Sequence, residues 1–163
     1  MILYNSLLKE VINEAVNINI PVSNNIVPDV IINTRATSRF GQCKKRNGKY
    51  LIEISQHLTQ AEEKYIKETL AHEVLHTCPN CMNHGTEWKS YARKMNMKYG
   101  YEISRTGSCQ SMGITNPKVE RANYTIVCDN CGKKIYRQRE SKVIKNSEQF
   151  RCKCGGRLHI ERV

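Results

Sequence analysis

Three features of the sequence predict an α+β chain in which helices pack on a small antiparallel sheet, with a smaller β module behind them. Apolar residues recur at helical spacing in three segments, a strand–turn–strand signal separates the first two, and four cysteines arrive as two close pairs near the C-terminus. The 163 residues are enough for one modest core and a small appended module.

The first helix rests on Leu3, Leu7, Leu8, Val11, Ile12 and Ala15, which share one face and run out near Asn17. Asn and Pro residues up to Pro28 break that pattern. Val30 to Thr34 then reads as a strand running on toward Cys43, Asn47-Gly48 as a hairpin turn, and Tyr50 to Ile54 as the return strand. Thr59-Gln60-Ala61-Glu62 has the form of a capping box. It opens a helix carrying Tyr65, Ile66, Leu70, Val74 and Leu75, which Cys78-Pro79 stops. Thr86 caps a third helix in which Trp88, Tyr91, Ala92 and Met95 form one apolar face. From Ser104 to Asn123 the chain turns polar around Gly107, Gly113 and Pro117. Beyond it, Tyr124 to Val127, Lys134 to Arg139 and Leu158 to Ile160 read as short strands. The expected layout is a first domain over 1–105, a linker over 106–123 and a β module over 124–163.

No apolar run approaches the roughly 18 residues of a membrane span, and the first sixteen residues lack the basic start of a secretory leader. The expectation is a cytoplasmic protein with reduced cysteines, which turns the eight cysteines from a disulfide framework toward metal binding. The formal charge is +11, of which the last 46 residues carry +7. Charge so concentrated in a small module suits a polyanion such as nucleic acid.

The densest chemical signal is His72-Glu73-Val74-Leu75-His76. Two histidines four apart on a helix point the same way, so both rings can reach one metal ion, and the Glu between them is placed to deprotonate a water there. His84 follows after a loop short enough to fold back and leads into the next helix. His57 lies fifteen residues before His72, about 22 Å at helical rise, and reads as a loop residue. Three nitrogen ligands with one open position make the layout of a catalytic zinc. In that layout the metal polarises a scissile carbonyl and lowers the pKa of its water, while Glu73 takes the proton and later delivers it to the leaving amine.

In the tail, Cys128 and Cys131-Gly132 are followed about twenty residues later by Cys152 and Cys154-Gly155, the pattern of a zinc ribbon. Four thiolates close a structural zinc site that contributes folding energy. The expected cofactors are therefore two zinc ions, one catalytic and one structural. His159 is an alternative fourth ligand, with two cysteines in each knuckle preferred. Lys133, Lys134, Tyr136, Arg137, Arg139 and Lys142 cluster between the knuckles as candidate contacts to DNA, with the ring free to stack on an unpaired base. Cys78 and Cys81, between the second and third histidines, read as reduced thiols in a tight loop. A second thiolate site with Cys43 and Cys109, or a redox pair, is the competing reading.

His72 to His76, with His84-Gly85-Thr86-Glu87-Trp88, resembles the SprT-like metalloproteases, as do Asn33-Thr34-Arg35 with Gly41 and Ile52 to Ser55 upstream. The resemblance implies a zincin fold, three histidine ligands at His72, His76 and His84, and a catalytic Glu73. It also implies protein substrates held on DNA that is single-stranded or distorted. The chain departs from the family's usual closing CxxCGG, since Cys152 and Cys154 are separated by one residue. The rival reading is a non-enzymatic, zinc-stabilised adaptor that binds nucleic acid.

Overall fold

The computed structural model describes residues 2–105, 112, 114 and 122–162. The chain divides into two compact units, Met1–Ile114 and Thr115–Val163. Most of the expected linker over 106–123, and with it Cys109, lies outside the described residues.

In the first unit, helix α1 (Ile2–Asn17) turns Leu7, Leu8, Val11 and Ala15 inward. Burying each of the larger three is worth roughly 1.5–3 kcal/mol. Strands β1 (Ile31–Asn33), β2 (Gly41–Arg46) and β3 (Lys49–Ser55) form one sheet in the order β1-β3-β2. Helix α2 (Glu63–Leu75) crosses it, and α3 (Thr86–Tyr99) packs on α2. The core lies where Ile52, Ile54 and Leu58 meet Ile66, Leu70, Val74 and Leu75 from α2 and Trp88, Ala92 and Met95 from α3.

Four expectations are corrected. The sheet is mixed rather than antiparallel, because β1 pairs parallel with β3 while β2 pairs antiparallel with it. Val30 to Cys43 is not one strand: the Asn33 side chain accepts the N–H groups of Arg35 and Ala36, both at 3.0 Å, and turns the chain out of β1. The capping box at Thr59 does not form. Residues Gln56–Gln60 make a 3-10 turn in which the Thr59 hydroxyl donates to the Gln56 carbonyl at 2.7 Å, and α2 begins later, after Glu62. Nor does Thr86 cap α3, since Gly85 occupies that position.

In the second unit β4 (Tyr124–Cys128) is the centre of a three-stranded antiparallel sheet, flanked by β5 (Lys134–Arg137) and β6 (Leu158–Arg162). A short helix, Lys142–Lys145, contributes the buried Ile144. With so little apolar core, a structural metal is the natural staple for such a module.

Candidate metal centres

The histidine site is built at the C-terminal end of α2. His72 lies in its last turn, and His76 is the first residue past Leu75, still in right-handed helical conformation. The two rings therefore keep their four-residue spacing on one face although the hydrogen-bonded helix has ended. Thr77 locks this end by donating its hydroxyl to the Val74 carbonyl at 2.7 Å. Asn80, at φ 56, then reverses the chain, a left-handed position that Asn tolerates well. Asn83 accepts the Gly85 N–H at 3.1 Å, a turn that aims His84 back at α2.

The ligand atoms of His72, His76 and His84 all lie within 4.8 Å of one another. Their orientation fits a metal. The His72 Nδ1–H donates to the Ser104 carbonyl at 3.0 Å and the His76 Nδ1–H to the Cys81 carbonyl at 2.6 Å. Each bond fixes the tautomer that leaves Nε2 with a free lone pair. His72 Nε2 and His84 Nε2 approach to 2.8 Å, a separation that a shared cation or proton makes favourable. Trp88 walls the site, its ring centroid 4.6 Å from that of His84 and 4.7 Å from that of His72. Its Nε1 is buried without a partner among the described residues.

Burial, then the charges of His76 and His84, pushes His72 down to about 4. Burial likewise lowers His76 and His84, and for His84 the charges of His76, Arg105 and Lys89 add to the effect. The three rings are thus neutral near pH 7, as ligation requires.

Glu73, next to His72 on α2, sets its carboxyl against β2. It is 6% exposed, and burial raises it to about 8 against the pull of the Cys43 backbone N–H and the Arg39 charge. Histidines and carboxyl share one open cleft of about 520 Å³, whose wall also includes Arg39, Gly41, Cys43, Met82 and Arg105.

Several supporting groups carry no sequence signature. The backbone carbonyls of Ser104 and Cys81 are two of them. Asn96 is a third: it brackets Ile103, accepting its N–H at 2.9 Å and donating to its carbonyl at 3.1 Å. Glu68 accepts the Glu102 N–H at 2.9 Å and holds the same segment from α2.

Cys78 and Cys81 are buried, and burial first, then the neighbouring Cys81, pushes the Cys78 thiol up to about 12. Cys43 lies beside Glu73 instead of joining them, its thiol raised to about 12 by burial and then by that carboxylate. Among the described residues these three form no metal cluster. His57 stays in the 3-10 turn, away from the histidine group.

In the second unit the sulfurs of Cys128, Cys131, Cys152 and Cys154 also lie within 4.8 Å of one another. The single-residue spacing of the second pair is accommodated by a tight turn, in which Gly155, at φ 84, donates to the Cys152 carbonyl at 2.8 Å. Cys154 is drawn down to about 6, first by the Gly156 backbone N–H and then by the neighbouring thiols. Four cysteine sulfurs gathered this closely fit a structural zinc. His159 stays outside the cluster, its Nδ1 paired with Asp129.

The basic candidates lie on β5, beside it and on the short helix that follows. Lys133, Lys134, Arg137, Arg139 and Lys142 are exposed and Tyr136 is half-buried. Along β5 the side chains alternate, so Lys134 and Tyr136 lie on one face and Arg137 on the other. Lys134 is also within 3.9 Å of Glu161.

The fold and its two clusters define a two-unit α+β protein able to bind metal at a three-histidine group and at a four-cysteine group. The sequence profile of the SprT-like family, a group of metalloprotease-like proteins, matches residues 10–107, and the chain belongs to that family. The chain is also 26% identical over 147 residues to the germ cell nuclear acidic-1 protein of Caenorhabditis elegans. That match covers 82% of this chain and 25% of the relative, so the chain spans about a quarter of the relative's length. No helix among the described residues is long and apolar enough to cross a membrane.

Proposed function

We propose that this chain is a zinc-dependent protease that hydrolyses peptide bonds in proteins associated with DNA, with Glu73 as its general base and the basic ribbon as its recruiter. The observation that carries the reading is the convergence of three neutral histidines and a buried glutamate on one open cleft. His72, His76 and His84 would hold one zinc, and Cys128, Cys131, Cys152 and Cys154 a second. When bound, the first supplies Lewis acidity toward a carbonyl and makes water a nucleophile at neutral pH.

The protein's own part is proton handling and positioning. Glu73 takes a proton from the water as its oxygen bonds to the scissile carbonyl carbon. The C–N bond then breaks, and Glu73 returns the proton to the departing amine nitrogen. In the metal-free chain burial raises the proton affinity of this carboxyl, which makes it a stronger base than an exposed glutamate. The Cys43 N–H keeps it pointed while its charge changes. The carbonyls of Ser104 and Cys81 hold two of the histidine rings in the ligating tautomer. Recruitment to DNA is supported by the net +7 of the last 46 residues and by the exposed cations of the ribbon.

The test uses the zinc-loaded full chain against a DNA-binding protein, with and without single-stranded DNA. Cleavage that DNA accelerates is expected. A Lys133→Ala/Arg137→Ala/Arg139→Ala variant should lose the acceleration and still cut an unfolded protein. Absence of cleavage in every arm would leave the adaptor reading in its place.

A further inference from the structure

Gly41 opens β2 at the point where the strand passes α2. A Cβ built on it would lie 2.6 Å from Glu73 Oε1, 2.8 Å from Glu73 Cγ and 2.8 Å from Thr69 Cγ2. Carbon atoms in contact sit about 3.5–4.0 Å apart, so one methyl group overlaps its neighbours by about 1 Å. Backbone conformation does not ask for glycine here. Gly41 is absent from the residues with positive φ, and it pairs with Ile54 in regular antiparallel register. What the position demands is space.

The neighbours have little room to yield. The adjoining Phe40 carbonyl accepts the Ser55 N–H at 2.6 Å, which fixes this end of β2 against the central strand. Thr69 is buried, and its hydroxyl donates to the Tyr65 carbonyl at 2.9 Å. Glu73 is enclosed on α2 and accepts the Cys43 N–H from the same strand, two residues beyond Gly41. The strand therefore meets the carboxyl twice, once by omitting a side chain and once by offering an amide.

We infer that Gly41 is a positioning residue for Glu73: the missing side chain lets β2 close on α2 and seats the carboxyl against the Cys43 amide, in the cleft that the histidines also line. The role in catalysis rests on reading Glu73 as the general base; the packing relation does not. The atoms nearest an added methyl group belong to Glu73 and Thr69, so its effect falls first on the base.

Two measurements on the zinc-loaded full chain test this. In the first, Gly41→Ala lowers kcat about 100-fold, the scale of a 1 Å misplacement, with KM held within about threefold. Zinc content and the visible spectrum of the cobalt-substituted protein stay those of the wild type. The second is a thermal double-mutant cycle. Gly41→Ala lowers Tm by about 5 °C with Glu73 present and by less than half of that in the Glu73→Ala background, where most of the clash is gone. An equal drop in both backgrounds, equal failure to fold in both, or wild-type kcat in Gly41→Ala overturns the inference. If the wild type cleaves nothing, the protease reading fails by itself, and the thermal cycle still decides whether Gly41 seats Glu73.

Discussion

Replacing Asn96 with alanine should weaken zinc binding at the histidine site, even though the Asn96 amide bonds to Ile103 and to no histidine. Its amide makes two hydrogen bonds to Ile103, at 2.9 and 3.1 Å, and the next residue, Ser104, offers the carbonyl that accepts the His72 Nδ1–H. Two such bonds are worth about 1 kcal/mol each, which sets a ceiling of about 2 kcal/mol, or roughly 30-fold in affinity. Glu68 still holds the neighbouring Glu102 N–H, and the Tyr101 hydroxyl still donates to Glu14. These bonds retain part of the segment, so a loss of about 5- to 30-fold is expected, the range of other outer-shell changes. Competition with a chromophoric chelator, resolving the two zinc ions as they leave the full-length chain, measures it. Histidine-site affinity within twofold of the wild type would refute the argument. So would an equal loss at both sites, which would mark general unfolding.

Two further outcomes follow from the same geometry. Glu73 is raised from its ordinary value to about 8 in the metal-free chain, so the folded state binds that proton more tightly than the unfolded state. The corresponding stability is present at low pH and is lost as pH rises from about 4.5 through about 8. Metal-free Glu73→Gln should therefore be more stable than the wild type at pH 9, with a ceiling of about 5 kcal/mol, and the gap should shrink toward pH 5 in urea denaturation. In the ribbon, a Cβ on Gly156 would lie 2.7 Å from Cys128 Sγ and 2.6 Å from Asn130 Cβ. Gly156→Ala should reduce zinc from two ions to one per chain, leaving melting of the first unit within about 1 °C of the wild type.

What could be read from the residues alone is local and periodic. The four-residue spacing of His72 and His76 survives because right-handed backbone continues through His76 after the helix ends. His84 was reachable because the loop before it is short, and the knuckle cysteines because their spacing reports a turn. The capping box at Thr59 misled because its hydroxyl has a nearer acceptor in the Gln56 carbonyl. The mixed sheet was hidden because β1 has only three residues, and its parallel partner β3 lies beyond the intervening β2. The supports of the site were hidden for a different reason. Ser104 and Cys81 act through backbone carbonyls, which any residue possesses. Gly41 matters for atoms it lacks, opposite a residue 32 positions later in the chain. The basic residues were legible as charge, and the strand sets Lys134 and Arg137 on opposite faces.

The account stands most directly on the cleavage rate of Glu73→Gln measured at equal metal content. With two zinc ions per chain in both proteins, the wild type should cleave a DNA-bound protein and Glu73→Gln should be at least about 100-fold slower, the lower end of what a positioned acid–base group contributes. Glu73→Gln retaining the wild-type rate at that zinc content would contradict the assignment of this cleft as the site of hydrolysis.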